Sequence, residues 1–184
     1  MKRVLICFFA CLTVGCGDNC NDCGGGFKPP PSGPFYPPRT TPQNTVEYYR
    51  VAWENRDSTR VDSVLAVDYE GTSTDIGSTT ETLSFVKFDE IRAVHRMKDD
   101  PNLVRVEVLL GPSSSWTRTS YASDPPEWVV VLVPGADIRV LLANGDILAV
   151  SSSRGNNEFK LKPVASGPDT TWEIVRWEEI HQSP

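Results

Sequence analysis

The sequence predicts an α+β fold in which three N-terminal helices pack on a curved antiparallel sheet of about five to six strands, all within residues 42–184. Two patterns carry this expectation. Up to Lys98 the apolar residues recur at three- and four-residue steps, the period of a helix with one buried face. From Val104 onward they alternate or run continuously, as in strands. A third observation says what holds the fold together: all five cysteines lie within the first 23 of the 184 residues, so no disulfide framework spans the remainder. The domain must therefore rest on its apolar core, and 39% hydrophobic residues in a chain of this length suffice for one domain.

Thr41-Pro42 supplies a capping residue followed by proline at the first helical position, where the missing N–H is no loss. Val46, Tyr49 and Trp53, with Tyr48 and Ala52, give the first helix a broad buried face through about Asn55. Asn55-Arg56-Asp57-Ser58 breaks it, and Asp57 caps a second, short helix with Val61, Val64 and Leu65 as its stripe. Val67 to Gly71 is a predicted strand, and the Ser-, Thr- and Gly-rich stretch from Ser73 to Thr80 a predicted loop. Phe85 to Lys98 is the third helix, with Phe88, Ile91, Val94 and His95 inward, acids early and bases late as the helix dipole favours. Strands follow at Val104–Leu110, Trp128–Val133, Ile138–Leu142 and Ile147–Ser151, the last two joined by an Asn144-Gly145 hairpin turn. A loop at Arg154-Gly155-Asn156-Asn157 precedes a strand from Glu158 to Pro163, and Trp172 to Glu178 closes the chain.

The opening, Pro42 to Val46 leading into Ala52-Trp53-Glu54-Asn55-Arg56-Asp57 and then Leu65-Ala66-Val67-Asp68-Tyr69, resembles the nuclear-transport-factor-2-like (cone, or SnoaL-like) family. The ending Trp172-Glu173-Ile174-Val175-Arg176-Trp177-Glu178 resembles bacterial lipoprotein members of unassigned function. The resemblance covers residues 42 to 180 and implies the fold more than an activity. In catalytic relatives, such as ketosteroid isomerases and small dehydratases, a buried Asp or His acts as base and a Tyr or acid as oxyanion donor. By that analogy Asp68, Tyr69, Asp75 and His95 become the residues to inspect.

Residues 1–15 look like a signal peptide: basic Lys2-Arg3, an apolar run from Val4 to Val14, and small Gly15 before Cys16. Leu12 to Cys16 resembles the bacterial lipobox, with Thr13 where that motif prefers Leu, which makes Cys16 the expected site of lipidation. An ordinary secretory signal is the alternative. The apolar run is too short for a membrane-spanning helix, which needs about 20 such residues. Residues 16–41 then form the lipidated Cys and a disordered Pro/Gly-rich tether, since six prolines and five glycines fall in positions 17–41 with almost no aliphatic residues to bury. Cys20 and Cys23 supply only half of a tetrahedral zinc shell, and a local disulfide or idle thiols are the preferred reading. Gly17 after the lipidated residue points to the outer membrane, facing the periplasm.

The formal charge is -6, and -8 once Lys2 and Arg3 leave with a leader, which argues against nucleic acid as a partner. No nucleophile elbow, zinc-protease motif, phosphate loop or dinucleotide fingerprint occurs, and no cofactor or metal is implied. Among the candidates Asp68 is more simply a strand-start residue, and His95, flanked by Arg92 and Arg96, more simply a packed or partly exposed histidine. The five tryptophans read as core, except Trp116 in the polar Ser113–Arg118 stretch, a cover for the mouth of the cone or a partner contact. No catalytic residue is assigned. The preferred reading is a tethered envelope module binding a small ligand or an envelope protein through a pocket near Asp68, Tyr69, His95 and Trp116. The alternatives are an isomerase or dehydratase using Asp68 or His95, and a homodimer formed through the sheet.

Overall fold

The computed structural model describes residues 33–76, 80–166 and 169–182. The signal segment, Cys16 and the Cys20/Cys23 pair lie outside the described residues, as do positions 77–79 of the expected Ser73–Thr80 loop. Helix α1 spans Pro42–Glu54; its N-cap is Thr41, whose Oγ1 accepts from Asn44 N at 3.2 Å. Arg56 then turns the chain at φ 53°, and its guanidinium donates to the carbonyls of Leu103 and Met97 at 3.1 and 3.4 Å. Helix α2, Ser58–Val64, starts on Asp57, whose Oδ1 accepts from Arg60 N at 3.0 Å. Strand β1 runs Leu65–Ile76 and β2 Thr80–Val86, followed by helix α3, Lys87–Asp99. The rest is β3 Leu103–Leu109, a one-turn helix at Ser113–Ser115, β4 Thr117–Thr119, β5 Val129–Leu142, β6 Ile147–Ser166 and β7 Asp169–Gln182.

The strands form one seven-stranded sheet in the order β2-β1-β7-β6-β5-β3, with β4 paired to the other end of β5. The sheet is mixed where an antiparallel one was expected: β7 runs parallel to β1, Gly71 facing Trp177, and antiparallel to β6. The C-terminal strand thus lies between the first strand and the hairpin strands, a placement no local periodicity can announce. The expected loop at Ser73–Thr80 is instead largely hairpin strand, with β1 and β2 paired from Glu70↔Val86 to Ile76↔Thr80. Phe85 belongs to β2, and α3 begins two residues later than expected. The expected loop at Arg154–Asn157 is a bulge inside a continuous β6, where the β5 register shifts between Pro134 and Ala136 around Gly135 at φ 79°. A further shift between Leu103 and Arg105 turns Leu103 inward and leaves Val104 exposed, against the expected alternation.

The core lies between the helices and the inner face of the sheet. Phe159 stacks on Trp177 at 5.5 Å with planes 8° apart, and Tyr49 from α1 meets Trp53, Phe159 and Trp177 edge-on, each at 6.2 Å. The outer face is laced by charge. Lys160 bridges Asp124 and Glu178, Lys162 pairs with Asp68, and Arg176 with Glu70, while Tyr121 from the β4–β5 connection bonds Glu158 at 2.9 Å.

The last part of the expected tether packs on the domain, which corrects the expectation that nothing before residue 42 contributes to it. Tyr36 lies 5.1 Å from the Tyr48 ring and donates to Asp57 Oδ2 at 3.1 Å, with the Arg60 guanidinium over its other neighbourhood at 5.1 Å. The Arg39 carbonyl accepts from Trp172 N at 3.1 Å. Two aromatic rings and a cation are enough to hold a proline-rich segment that has no core of its own.

Candidate functional site

Asp68 and Tyr69 are neighbours on β1 and therefore point to opposite faces. The Asp68 side chain is 55% exposed and takes a hydrogen bond from Lys162 at 3.0 Å, which holds its pKa below the usual carboxylate value. His95 is 65% exposed and sits 3.5 Å from Asp99 on the outer side of α3. Trp116 is 6% exposed, its Nε1 donating to the Leu110 carbonyl at 2.9 Å, so it is a packing residue and neither a cover nor a partner contact. Of the four predicted pocket residues only Tyr69 enters the interior between helices and sheet at the place described next. Asp75 lies toward the far end of β1.

The reason His95 points away is that α3 buries a different stripe. Glu90 and Val94 are buried, with Ala93 and Met97 partly so, giving the i, i+3, i+4, i+7 set. Glu90 is thus an acid at a core position, 4% exposed. Its Oε2 accepts from Tyr49 OH at 3.0 Å and its Oε1 from Tyr69 OH at 3.1 Å. Its pKa is raised to about 7, chiefly by burial; the two tyrosine hydrogen bonds pull against that rise, and the charges of Asp89 and Glu179 add to it. Burial, and then the Glu90 charge, hold both phenols well above their ordinary value, so they stay neutral donors.

Glu90 lines a cleft of about 290 Å³ whose walls include Trp53 from α1, Phe85 from β2, Ile138 from β5 and Trp177 from β7. Glu179, also buried, is a second acid on its lining. Phe85 reaches its position because Gly71 opposite it has no side chain: a Cβ there would stand 2.0 Å from the ring. A broader groove between α3 and β1, about 560 Å³, brings the predicted Asp68 and Tyr69 together with Val67, Phe88 and Arg176, but its acids Asp62, Asp68 and Glu70 are exposed. The smaller cleft has the buried titratable group and is the better candidate. Among the described residues no group of three His, Cys, Asp or Glu is placed to hold a metal ion.

No family model matches the chain, and no curated protein matches it. Solved structures do. It is similar to a protein described as the beta subunit of an aromatic-ring-hydroxylating dioxygenase from Novosphingobium aromaticivorans, with 10% identity over 79% of this chain and 90% of that one and a TM-score of 0.55. It is also similar to a nuclear transport factor 2-like superfamily protein from Salmonella enterica serovar Typhimurium, with 10% identity over 77% and 89% and a TM-score of 0.52. The domain has the nuclear-transport-factor-2-like fold. At this identity the likeness is one of fold.

In this nuclear-transport-factor-2-like domain the cleft opens where α1, α3 and the inner sheet face meet, and three of its polar groups escaped sequence reasoning. Glu90 stands beside Asp89 in the first turn of α3, where acids are expected for dipole reasons, and its i+3, i+4 and i+7 partners were the signal to weigh instead. Tyr49 looked like pure core. Glu179 is two residues beyond Trp177, so strand alternation places both on the inner face.

Proposed function

We propose that this chain is a bacterial envelope lipoprotein, anchored through Cys16 and facing the periplasm, whose nuclear-transport-factor-2-like domain binds a small molecule without transforming it. The observation that carries the binding reading is the cleft: aromatic walls from Trp53, Phe85 and Trp177 around a buried carboxyl at Glu90. The address rests on the Lys2-Arg3, apolar-run, Gly15-Cys16 sequence.

One observation favours the alternative of an isomerase or dehydratase: a carboxyl with a pKa of about 7 is well placed for acid–base work. Two others weigh against it. Both Glu90 oxygens already take tyrosine hydroxyls, which lowers their basicity, and the acid and histidine that catalysis would recruit, Asp68 and His95, lie in solvent.

The test uses a neutral, environment-sensitive naphthalene dye. It should bind the intact protein with a blue shift and quench tryptophan emission, and Trp177→Ala should abolish both, while Trp116→Phe, away from the cleft, should bind normally. A dye that ignores Trp177 overturns the binding reading. Intact mass decides the address: mature chain beginning at a diacylated Cys16, and an unprocessed chain for Cys16→Ser.

A further inference from the structure

We propose that the Glu90 cleft binds an uncharged, largely apolar ligand together with a proton, which is taken up by the Glu90 carboxyl. The inference rests on the small-molecule reading of the cleft and adds the class of ligand and the coupling. The acids and the serine on the described lining already have partners. Glu90 holds Tyr49 and Tyr69 on its two oxygens, Asp89 takes Arg92 at 3.0 Å and the Val86 N–H at 3.1 Å, and Ser73 and Glu179 each have an interaction of their own. The indole nitrogens of Trp53 and Trp177 are buried, so the wall is made by their rings. What the lining offers a ligand is therefore hydrocarbon and ring surface: Trp53 from α1, Leu83 and Phe85 from β2, Ala93 from α3, Ile138 from β5 and Trp177 from β7. An ion would lose its hydration against such walls without hydrogen bonds to replace it, whereas an apolar molecule gains by leaving water.

The coupling follows from where Glu90 sits. It is 4% exposed and lines the cleft, so a ligand that fills the cleft replaces solvent beside the carboxyl with hydrocarbon. That exchange penalises the ionised form and leaves the neutral acid almost untouched. The proton comes from solvent and adds to one carboxylate oxygen. The acid keeps its partners, because a phenol oxygen accepts a hydrogen bond as well as donating one.

Glu90 is faced by Tyr49 from α1, Tyr69 from β1, Glu179 from β7 and Asp89 on its own helix, and both tyrosines stay neutral. Arg92 is held by Asp89, Lys87 on the α2 side is held by Asp62, and His95, on the outer side of α3, is 65% exposed. The free carboxyl titrates at about 7, and the ligand raises that value further. Affinity is therefore greatest below about 7 and falls as pH rises through it, and binding in that range takes up a fraction of a proton.

The experiment titrates the intact protein with 2-naphthylmethanol at pH 6 and pH 8, by tryptophan fluorescence and by calorimetry in two buffers of different ionisation heat, with 2-naphthylmethylammonium and 2-naphthoate as charged analogues of the same size. We expect the alcohol to bind about five- to tenfold more tightly at pH 6 than at pH 8, with proton uptake, and at pH 6 more tightly than either ion. Glu90→Gln keeps the shape and a partner for each tyrosine, and should bind the alcohol at both pH values with the parent's pH 6 affinity and no proton exchange. Glu179→Gln and His95→Gln should keep the uptake. The proton count is read on the parent protein, so it decides the matter whether or not a variant folds. Affinity indifferent to pH, proton release, uptake that survives Glu90→Gln, or preference for either ion overturns the proposal. If the naphthalene dye and the alcohol bind equally at both pH values, the coupling falls while the binding reading stands; if neither binds even at pH 6, both fall.

Discussion

A carboxyl held between two phenols at 3.0 and 3.1 Å, and 4% exposed, gives Glu90 a measurable signature in stability. Its pKa rises from 4.5 to about 7 on folding. Below pH 4.5 the group is protonated whether the chain is folded or not and costs nothing. Between those values the unfolded chain ionises while the folded one keeps its proton, so stability falls as pH rises, and above about 7 the full penalty is present, on the order of 3 kcal/mol. Glu90→Gln removes the titration. The difference in unfolding free energy between variant and parent, from urea midpoints, should therefore move in the variant's favour by up to about 3 kcal/mol from pH 4.5 to pH 8. A difference that stays flat would mean that Glu90 is not desolvated as described. This residue was hidden in the sequence because a charged letter in the first turn of a helix is normally solvated, and only its burial partners from α1 and β1, 41 and 21 residues away, make it a core group.

Elements were legible where their signals are local. The cap of α1 at Thr41, the Asp57 start of α2 and the Asn144-Gly145 turn, with Gly145 at φ 89°, are all written in adjacent residues. The β1–β2 hairpin was illegible because its Ser- and Thr-rich strands lack alternation, and what fixes it is a contact across strands: the Phe85 ring lying over Gly71, 6.4 Å from Tyr69 and 5.9 Å from Trp177. That contact is testable. In Gly71→Ala the new methyl would stand 2.0 Å from the ring, which must swing off the cleft wall at a cost of about 1 to 3 kcal/mol. Thermal unfolding should show the loss, and dye binding should weaken with it. Adding Phe85→Leu to Gly71→Ala should return part of the stability without restoring the aromatic wall, so the two substitutions combine less than additively. A Gly71→Ala protein with parental stability and binding would show that the ring does not need the glycine.

At the scale of the whole molecule, helix and strand periods announced the α+β class, but strand order is a tertiary choice, and the parallel β1–β7 pairing comes from contacts about 106 residues apart, such as Gly71 with Trp177. The N-terminal limit of the domain was misplaced for a related reason: composition marks residues 34–41 as spacer, while two rings and a carboxylate make them part of the fold. Asp57 couples the two, because one oxygen caps α2 and the other holds the Tyr36 hydroxyl, whose pKa is pushed up to about 12 by burial and by that bond. A chain beginning at Pro34 keeps every described contact of the segment; one beginning at Pro42 loses the Tyr36–Tyr48 packing, the Tyr36–Asp57 bond, the Arg39–Trp172 backbone bond and the Thr41 cap of α1. Together these are worth about 2 to 3 kcal/mol, the cap included, or roughly 4 to 12 °C for a domain of this size. The Pro34 chain should therefore melt with the longer protein and the Pro42 chain below both. Tyr36→Phe in the long protein should reproduce part of that loss, about 1 kcal/mol, by deleting the hydroxyl bond alone. Coincident melting of the two truncations would return residues 34–41 to the status of a spacer.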